Sequence, residues 1–356
     1  MKFTSKQVTT IIVAVAAVFI TMAIFTYVVG DEEESEGTST ESVSSSDQTN
    51  NSSSDSPKGV APVEEPVAKQ LDSTDYLAAK KSEESDPYKD LDELIGLKEV
   101  KDEVRDLANF VKVQKMREEQ GLKVPKISYH LVFTGSPGTG KTTVARIVAR
   151  IYKDLGVLKK GHTVETDRSG LVAEYVGQTA VKTNAIIDSA LNGVLFIDEA
   201  YALVPEQAGN DYGQEAISTL LKRMEDDRDK LVVIIAGYTN EMKRFINSNP
   251  GLQSRFNRYI NFPDYSASEL FQIYELHAKK NQYQLNPEAA EFLRARLEYV
   301  VAHKDRNFGN GRYSRNLFEK SIQNQANRLS NESNPTSEML SEITKEDVEK
   351  ALANTK

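Results

Sequence analysis

Gly135-Ser136-Pro137-Gly138-Thr139-Gly140-Lys141-Thr142 follows the apolar run 127–134 and opens a periodic apolar stretch that reaches Leu155. Strand, Gly-rich turn and helix, in that order, are what the pattern G-x-x-x-x-G-K-[ST] needs in order to cradle phosphate. Glycines at 135, 138 and 140 allow successive backbone N–H groups to close around anionic oxygens. The following helix aims its positive end at the same place. Lys141 is then placed to reach the β- and γ-phosphates of a nucleotide, and Thr142 to offer its hydroxyl to Mg2+. Ser136, Pro137, Thr139 and Thr143 complete the lining expected of this segment.

Outward from this stretch the text alternates. Short apolar runs at 194–197, 231–236 and 259–262 read as strands, and helical patterns lie around 179–190, 212–227 and 240–247. Upstream, Leu97, Val100, Val104, Leu107 and Val111 recur at helical steps until Gly121 and Pro125 end the pattern. Strands that alternate with helices imply a parallel sheet covered on both faces. After Pro263 the strands stop. Ser266-Ala267-Ser268-Glu269 is a capping box, and helical stretches follow at 287–303, 313–329 and 345–353. The expected fold is an α/β nucleotide-binding domain over 87–264 and a small all-helical domain over 265–356, with no internal repeats.

A second site signal ends the run Val194-Leu195-Phe196-Ile197 in two acids, Asp198 and Glu199. Consecutive carboxylates at the end of a buried strand are costly unless they have a task. About sixty residues after a phosphate loop, that task is to hold Mg2+ through Asp198 and to orient and polarise an attacking water through Glu199.

Composition narrows the alternatives. The formal net charge of −9 argues against a general nucleic-acid binder. With no cysteine there is no disulfide, no thiolate metal site and no thiol nucleophile, and the four histidines lack ligand spacing. From Gln7 to Gly30 no residue is charged. Residues 8–29, at ~1.5 Å each, match a hydrocarbon core of ~30 Å, so residues 1–30 are expected to form an uncleaved single-pass membrane anchor. Lys2 and Lys6 favour export of the body under the positive-inside rule. The need for ATP is given precedence, and the catalytic part is expected to face the cytoplasm. Residues 31–86 are rich in Ser, Glu and Asp, too polar to bury a core, and are expected to be a disordered linker.

With both acid and phosphate motifs in place, the chain resembles the AAA+ ATPases, and within them the branch of CbbX and stage V sporulation protein K. The resemblance runs from about Leu91 to Leu329. It implies a P-loop α/β module followed by a helical lid, with ATP and Mg2+ as cofactors. Leu91-Asp92-Glu93-Leu94-Ile95-Gly96-Leu97 is similar to the family's adenine-packing segment, which makes Ile95 and Gly96 candidate base contacts. Ser254-Arg255-Phe256-Asn257-Arg258 is similar to the run that carries arginine fingers, with Arg255 the first choice and Arg258 the second. Such a finger acts across a subunit interface, so the resemblance implies a homo-oligomeric ring, a hexamer in most relatives. Gly309-Asn310-Gly311-Arg312 resembles sensor 2, with Arg312 the candidate and a glycine where the family often has alanine. Sensor 1 is left open among Tyr238, Thr239 and Asn240. Glu174-Tyr175-Val176-Gly177 resembles the pore loop that grips a threaded polypeptide, through Tyr175, Val176 and Gly177, and the stretch 207–213 is a candidate second pore element.

The function implied is ATP hydrolysis coupled to remodelling or threading of a protein substrate at a membrane. Two other classes compete: a nucleic-acid motor or loader, and a nucleotide-switched scaffold with little turnover. The acidic balance and the aromatic loop weigh against the first, and Glu199 with Arg255 against the second. H-E-x-x-H is absent, so no zinc protease accompanies the module.

Overall fold

The computed structural model describes residues 85–125, 127–175, 177–204 and 212–353. Helix α1 (Pro87–Glu93) is started by Asp86, whose carboxylate accepts the Tyr88 N–H, and α2 (Lys98–Glu119) follows after a tight turn. The α/β part then runs β1 (Leu131–Gly135), α3 (Lys141–Asp154), β2 (Thr163–Thr166), α4 (Arg168–Leu171), α5 (Thr179–Ala190), β3 (Gly193–Ile197), a 3-10 turn (Ala200–Leu203), α6 (Gly213–Asp226), β4 (Leu231–Gly237), α7 (Thr239–Asn247), α8 (Pro250–Arg255) and β5 (Tyr259–Phe262). The five strands are all parallel, in the order β2-β3-β4-β1-β5.

Each central strand is buried along its whole length and mostly apolar, because both faces are covered. On β3, Val194 and Phe196 face one core while Leu195 and Ile197 face the other. On β4, Val232, Ile234 and Ala236 oppose Leu231, Val233 and Ile235 in the same way. The first core is filled by α2 and α3 and continues into the helical part, and the second is filled by α5, α6 and α7. Phe133, wholly buried, contributes ~2–3 kcal/mol from apolar burial alone.

The helical part comprises α9 (Ala267–Lys280), β6 (Gln284–Leu285), α10 (Pro287–Ala302), α11 (Gly311–Leu329), α12 (Ser337–Ser341), β7 (Glu342–Ile343) and α13 (Lys345–Ala353). Ser266 and Glu269 close the capping box expected at the start of α9. Asp347 is buried and accepts from Thr344 N, Thr344 Oγ1 and Arg328, which fastens α13 to α11. Asp347 is therefore held below the usual carboxylate range, against the opposing effect of burial, by its bonds to Arg328 and Thr344.

Three sequence expectations are revised here. Pairing of β1 starts at Leu131, four residues later than the apolar run, where His130 Nδ1 accepts the Val233 N–H (2.9 Å) that a longer ladder would use. The edge strand β2 and the two-residue strands β6 and β7 were not expected at all. The single-pass membrane assignment is corrected: among the described residues no helix is long and apolar enough to cross a membrane. Among the described helices α2 has the length, with 22 residues, but its charged residues, from Lys98 and Glu99 to Arg117, make it an amphipathic helix laid on the sheet. Of the segments read as anchor (1–30) and linker (31–86), residues 1–84 lie outside the described residues, as do Val176 and most of the 207–213 stretch.

Candidate active site

The C-terminal edge of a parallel sheet, beside a strand that departs from sequential order, is where ligands are bound in such folds. Here β1 lies between β4 and β5, and β3 lies on the far side of β4. Gly135 ends β1 at φ +145°, and a Cβ there would lie 2.3 Å from the Phe262 carbonyl oxygen, so only glycine lets the chain turn so close to β5. Gly138 and Gly140 are also at positive φ, and Gly140 hands the chain to α3. Thr139 is buried and its hydroxyl donates to Ser136 O at 2.8 Å, closing the loop on itself.

Lys141 opens α3 at 8% exposure, its ammonium donating to Gly135 O (3.0 Å) and Ser136 O (2.7 Å). Burial holds its pKa below the ordinary lysine value; Arg312 adds to this, and Asp198, Glu199 and Asp264 oppose it. Among the described residues this buried cation, at the positive end of a helix, is bonded to loop carbonyls and forms no ion pair with a carboxylate. That arrangement, with backbone N–H groups freed by the glycines, fits the phosphates of a nucleotide. Thr142 is half-buried and Thr143 exposed on the same first turn.

Asp198 and Glu199 follow the last residue of β3. Asp198 is half-buried, and its carboxylate accepts the Glu199 N–H at 3.0 Å. Glu199 is exposed and left-handed at φ 47°, so its side chain leaves the sheet rather than continuing the strand. The Thr142 hydroxyl and the Asp198 carboxylate are hard oxygen donors, and their number suits Mg2+ sharing its shell with water and phosphate rather than a cage made of side chains alone. An open cavity of about 490 Å3 adjoins Glu199 and is lined also by Asp167, Arg168, Glu174, Lys182 and Ala202.

The segment 94–97 lies against both the phosphate loop and the lid. Leu97 Cδ1 would be 3.4 Å from a Cβ on Gly140, and a Cβ on Gly96 would fall 2.1 Å from Glu269 Oε1. Ile95 and Gly96, both half-buried, are thus gathered to the same place as Gly140. Arg312, exposed on the first turn of α11, is near enough to Lys141 to depress its pKa.

Other expected residues lie elsewhere. Arg255 ends α8, where it pairs with Glu225 (3.6 Å) and lies near Gly251 O and Ser254 Oγ, while its Nε is buried without a partner. Arg258 lies 4.6 Å from the centre of the Phe110 ring. Neither guanidinium joins Lys141, Asp198 or Glu199 within this chain. Tyr175 is 69% exposed, and Gly177 is at positive φ with open space around it. Tyr238 packs against Tyr201 (ring centroids 6.2 Å apart) beneath the Arg306 guanidinium, whereas Thr239 and Asn240 begin α7. Tyr201, raised to about 12 by burial first and then by Glu199, places that aromatic pair beside the acid.

Sequence reasoning missed Asp264, Tyr265 and Asn310, which bear on the phosphate loop, and Lys304, which holds Asp264. Lys304 bonds Asp264 at 2.6 Å, and the Tyr265 hydroxyl donates to Thr139 O at 3.3 Å. The available signals were the Pro263-Asp264-Tyr265 turn after β5 and a non-glycine residue set between Gly309 and Gly311.

Comparison with known proteins agrees with this geometry. The family model described as the ATPase family associated with various cellular activities (AAA) matches residues 131–264, and the AAA lid domain model matches residues 266–356. Stage V sporulation protein K of Bacillus subtilis is 45% identical over 245 residues, 68% of this chain and 75% of that protein. Protein CbbX of Cereibacter sphaeroides is 47% identical over 238 residues, 67% of this chain and 76% of that one. ESX-3 secretion system protein EccA3 of Mycobacterium leprae is 44% identical over 278 residues, 74% of this chain but 43% of that protein, so the chain spans less than half of its length. Among solved structures the FIGL-1 AAA domain aligns with a TM-score of 0.54 at 17% identity, covering 83% of this chain and 93% of that one, a likeness of fold alone. With its phosphate loop, its paired acids and a helical lid, this chain belongs to the AAA ATPase family and is an ATPase.

Proposed function

We propose that the chain assembles into a homo-oligomeric ring, a hexamer, in which ATP hydrolysis drives the remodelling or threading of a protein substrate. The observation that carries this reading is the separation of the charged groups. Lys141, Thr142 and Asp198–Glu199 gather at one sheet edge, while Arg255 lies away from them on α8, next to an exposed surface and with one N–H unanswered.

In this reading the N–H groups of 135–143 and the Lys141 ammonium hold the phosphates, and Ile95 and Gly96 meet the base. Thr142 and Asp198 would hold Mg2+, which would supply positive charge to the phosphates. Glu199, exposed beyond Asp198, orients water for attack on the γ-phosphorus in line with the leaving β-phosphate oxygen. The positive charge this step still needs comes from Arg255 of a neighbouring subunit, with Arg258 as its second. Leaving Glu225 costs Arg255 one half-exposed ion pair, a small term. Arg312 faces the phosphates from the lid, and Tyr238 couples the end of β4 to Glu199 through Tyr201. Tyr175, Val176 and Gly177 provide an aromatic contact on a glycine hinge, suited to gripping a polypeptide without regard to its sequence. The relatives, a Rubisco activase and a secretion system protein among them, are compatible with a protein client.

The test is steady-state ATPase rate per subunit against concentration of the full chain. A rate that rises with concentration supports catalysis at subunit interfaces. A flat rate, together with unchanged turnover in Arg255→Ala, points instead to a nucleotide switch that works as a monomer.

A further inference from the structure

Asn310 has no exposed surface and takes φ 47°, ψ −121°, backbone space that most L residues avoid. Its amide is engaged at both ends. Oδ1 accepts the Tyr265 N–H at 3.0 Å, and Nδ2 donates to Asp264 Oδ1 (3.0 Å), Phe308 O (3.1 Å) and Pro137 O (3.3 Å). An oxygen facing a donor and a nitrogen facing three acceptors leave one orientation for this side chain. Pro137 belongs to the phosphate loop, 173 residues away in sequence.

Two neighbouring bonds have the same character. The Gly311 N–H donates to Gly138 O at 3.0 Å, and the Tyr265 hydroxyl donates to Thr139 O at 3.3 Å. A Cβ on Gly138 would lie 2.0 Å from Gly309 O, so the lid loop is pressed directly on the phosphate loop. The carbonyls of 137, 138 and 139 are therefore all held from the lid side. A trans peptide is planar, with its C=O and N–H pointing in opposite directions. Fixing those three carbonyls outward fixes the N–H groups of Gly138, Thr139 and Gly140 inward, toward the place where phosphate oxygens are expected.

We propose that Asn310 is a positioning residue for nucleotide binding: through Pro137 O it holds the phosphate loop in its anion-binding curvature from the lid. The inference rests on the reading that residues 135–142 hold the nucleotide. It also gives the lid a route to the site that does not pass through Arg312. When the lid tilts, the carbonyl anchors move and the cradle loosens; when phosphates order the cradle, the anchors hold the lid.

The test uses the full chain and Mg·ADP, with binding followed by calorimetry. Asn310→Asp keeps an oxygen for the Tyr265 N–H but cannot donate to Pro137 O. The expected result is a Kd about tenfold higher, with kcat at saturating ATP changed much less than KM. The exchanged pair Asp264→Asn with Asn310→Asp restores a bond between 264 and 310 but not the bond to Pro137, and its affinity should stay weak. Wild-type affinity in Asn310→Asp, or its recovery in the exchanged pair, overturns the proposal and leaves Asn310 a structural residue. If these variants do not fold, hydrogen exchange on the wild-type chain decides: Mg·ADP should slow exchange of the Gly311 amide, and an unchanged rate overturns the proposal. A wild-type chain that binds no ADP overturns the nucleotide reading itself, and the inference falls with it.

Discussion

The phosphate loop and the segment around Tyr175 are both glycine-bearing turns of one α/β domain, yet their surroundings are opposite. Gly138 and Gly140 are pressed by the lid loop, by Leu97 and by Tyr265, and a buried lysine spans the loop from inside. Gly177 has nothing within 4 Å of where a Cβ would stand, and Tyr175 is 69% exposed. The first turn is shaped by contacts within the chain. The second is fixed locally, by the Gln178 N–H on Tyr175 O (3.3 Å) and the Ala173 N–H on Thr179 Oγ1 (3.2 Å), and leaves its aromatic side chain on the surface. Arg255 belongs with the second group: its Glu225 tether is loose, and its buried Nε has no partner.

The comparison breaks most visibly at the enclosed site. Lys141→Ala should remove the phosphate contact and lower kcat/KM by ~10³-fold or more. Glu199→Gln should stop turnover on a similar scale while ADP and ATP still bind, and retained turnover would transfer the water-orienting role elsewhere. Arg255→Ala should reduce turnover by ~10²–10³-fold without weakening nucleotide binding to the same extent; equal losses in both would place Arg255 in its own chain's site.

A stability measurement sharpens the same contrast. His130 is buried beneath β4, and burial first, then Arg255, lowers its pKa from 6.5 to about 4. A depressed histidine favours the folded state while neutral, so its contribution is fully present above pH 6.5 and is lost as pH falls toward 4. At 1.36 kcal/mol per unit that is ~3 kcal/mol, seen as an acid-side slope in unfolding free energy that His130→Leu should flatten. The smallest effect belongs to the exposed turn. In the Glu199→Gln background with ATP, Tyr175→Ala should weaken binding of fluorescently labelled unfolded casein by about tenfold. Unaltered anisotropy titrations would remove Tyr175 from the client contact.

The enclosed half was legible because its signals are local. Eight consecutive residues, Gly135 to Thr142, mark the passage from the end of β1 to the first turn of α3, and the apolar run 194–197 delivers Asp198 and Glu199 to the sheet edge. Burial on both faces also made β3 and β4 readable as apolar runs, while the edge strand β5 buries Ile260 and Phe262 and exposes Tyr259 and Asn261. Edge strand β2, Thr163–Thr166, was not legible because its half-exposed polar residues carry no apolar run. The role of Asn310 was not legible from its setting between Gly309 and Gly311, since apart from Phe308 its partners Pro137, Asp264 and Tyr265 are distant in sequence. The membrane reading rested on residues 7–30, and no described helix is long and apolar enough to take its place.

The central claim is that one ATP site needs groups from two chains. Full-length Glu199→Gln and Arg255→Ala proteins, each nearly inactive alone, should therefore be mixed in equal amounts and their ATPase rate measured. The account predicts that activity returns to a substantial fraction of wild type, because a subunit with intact Glu199 receives Arg255 from its Glu199→Gln neighbour. A mixture no more active than the sum of its two components would contradict it.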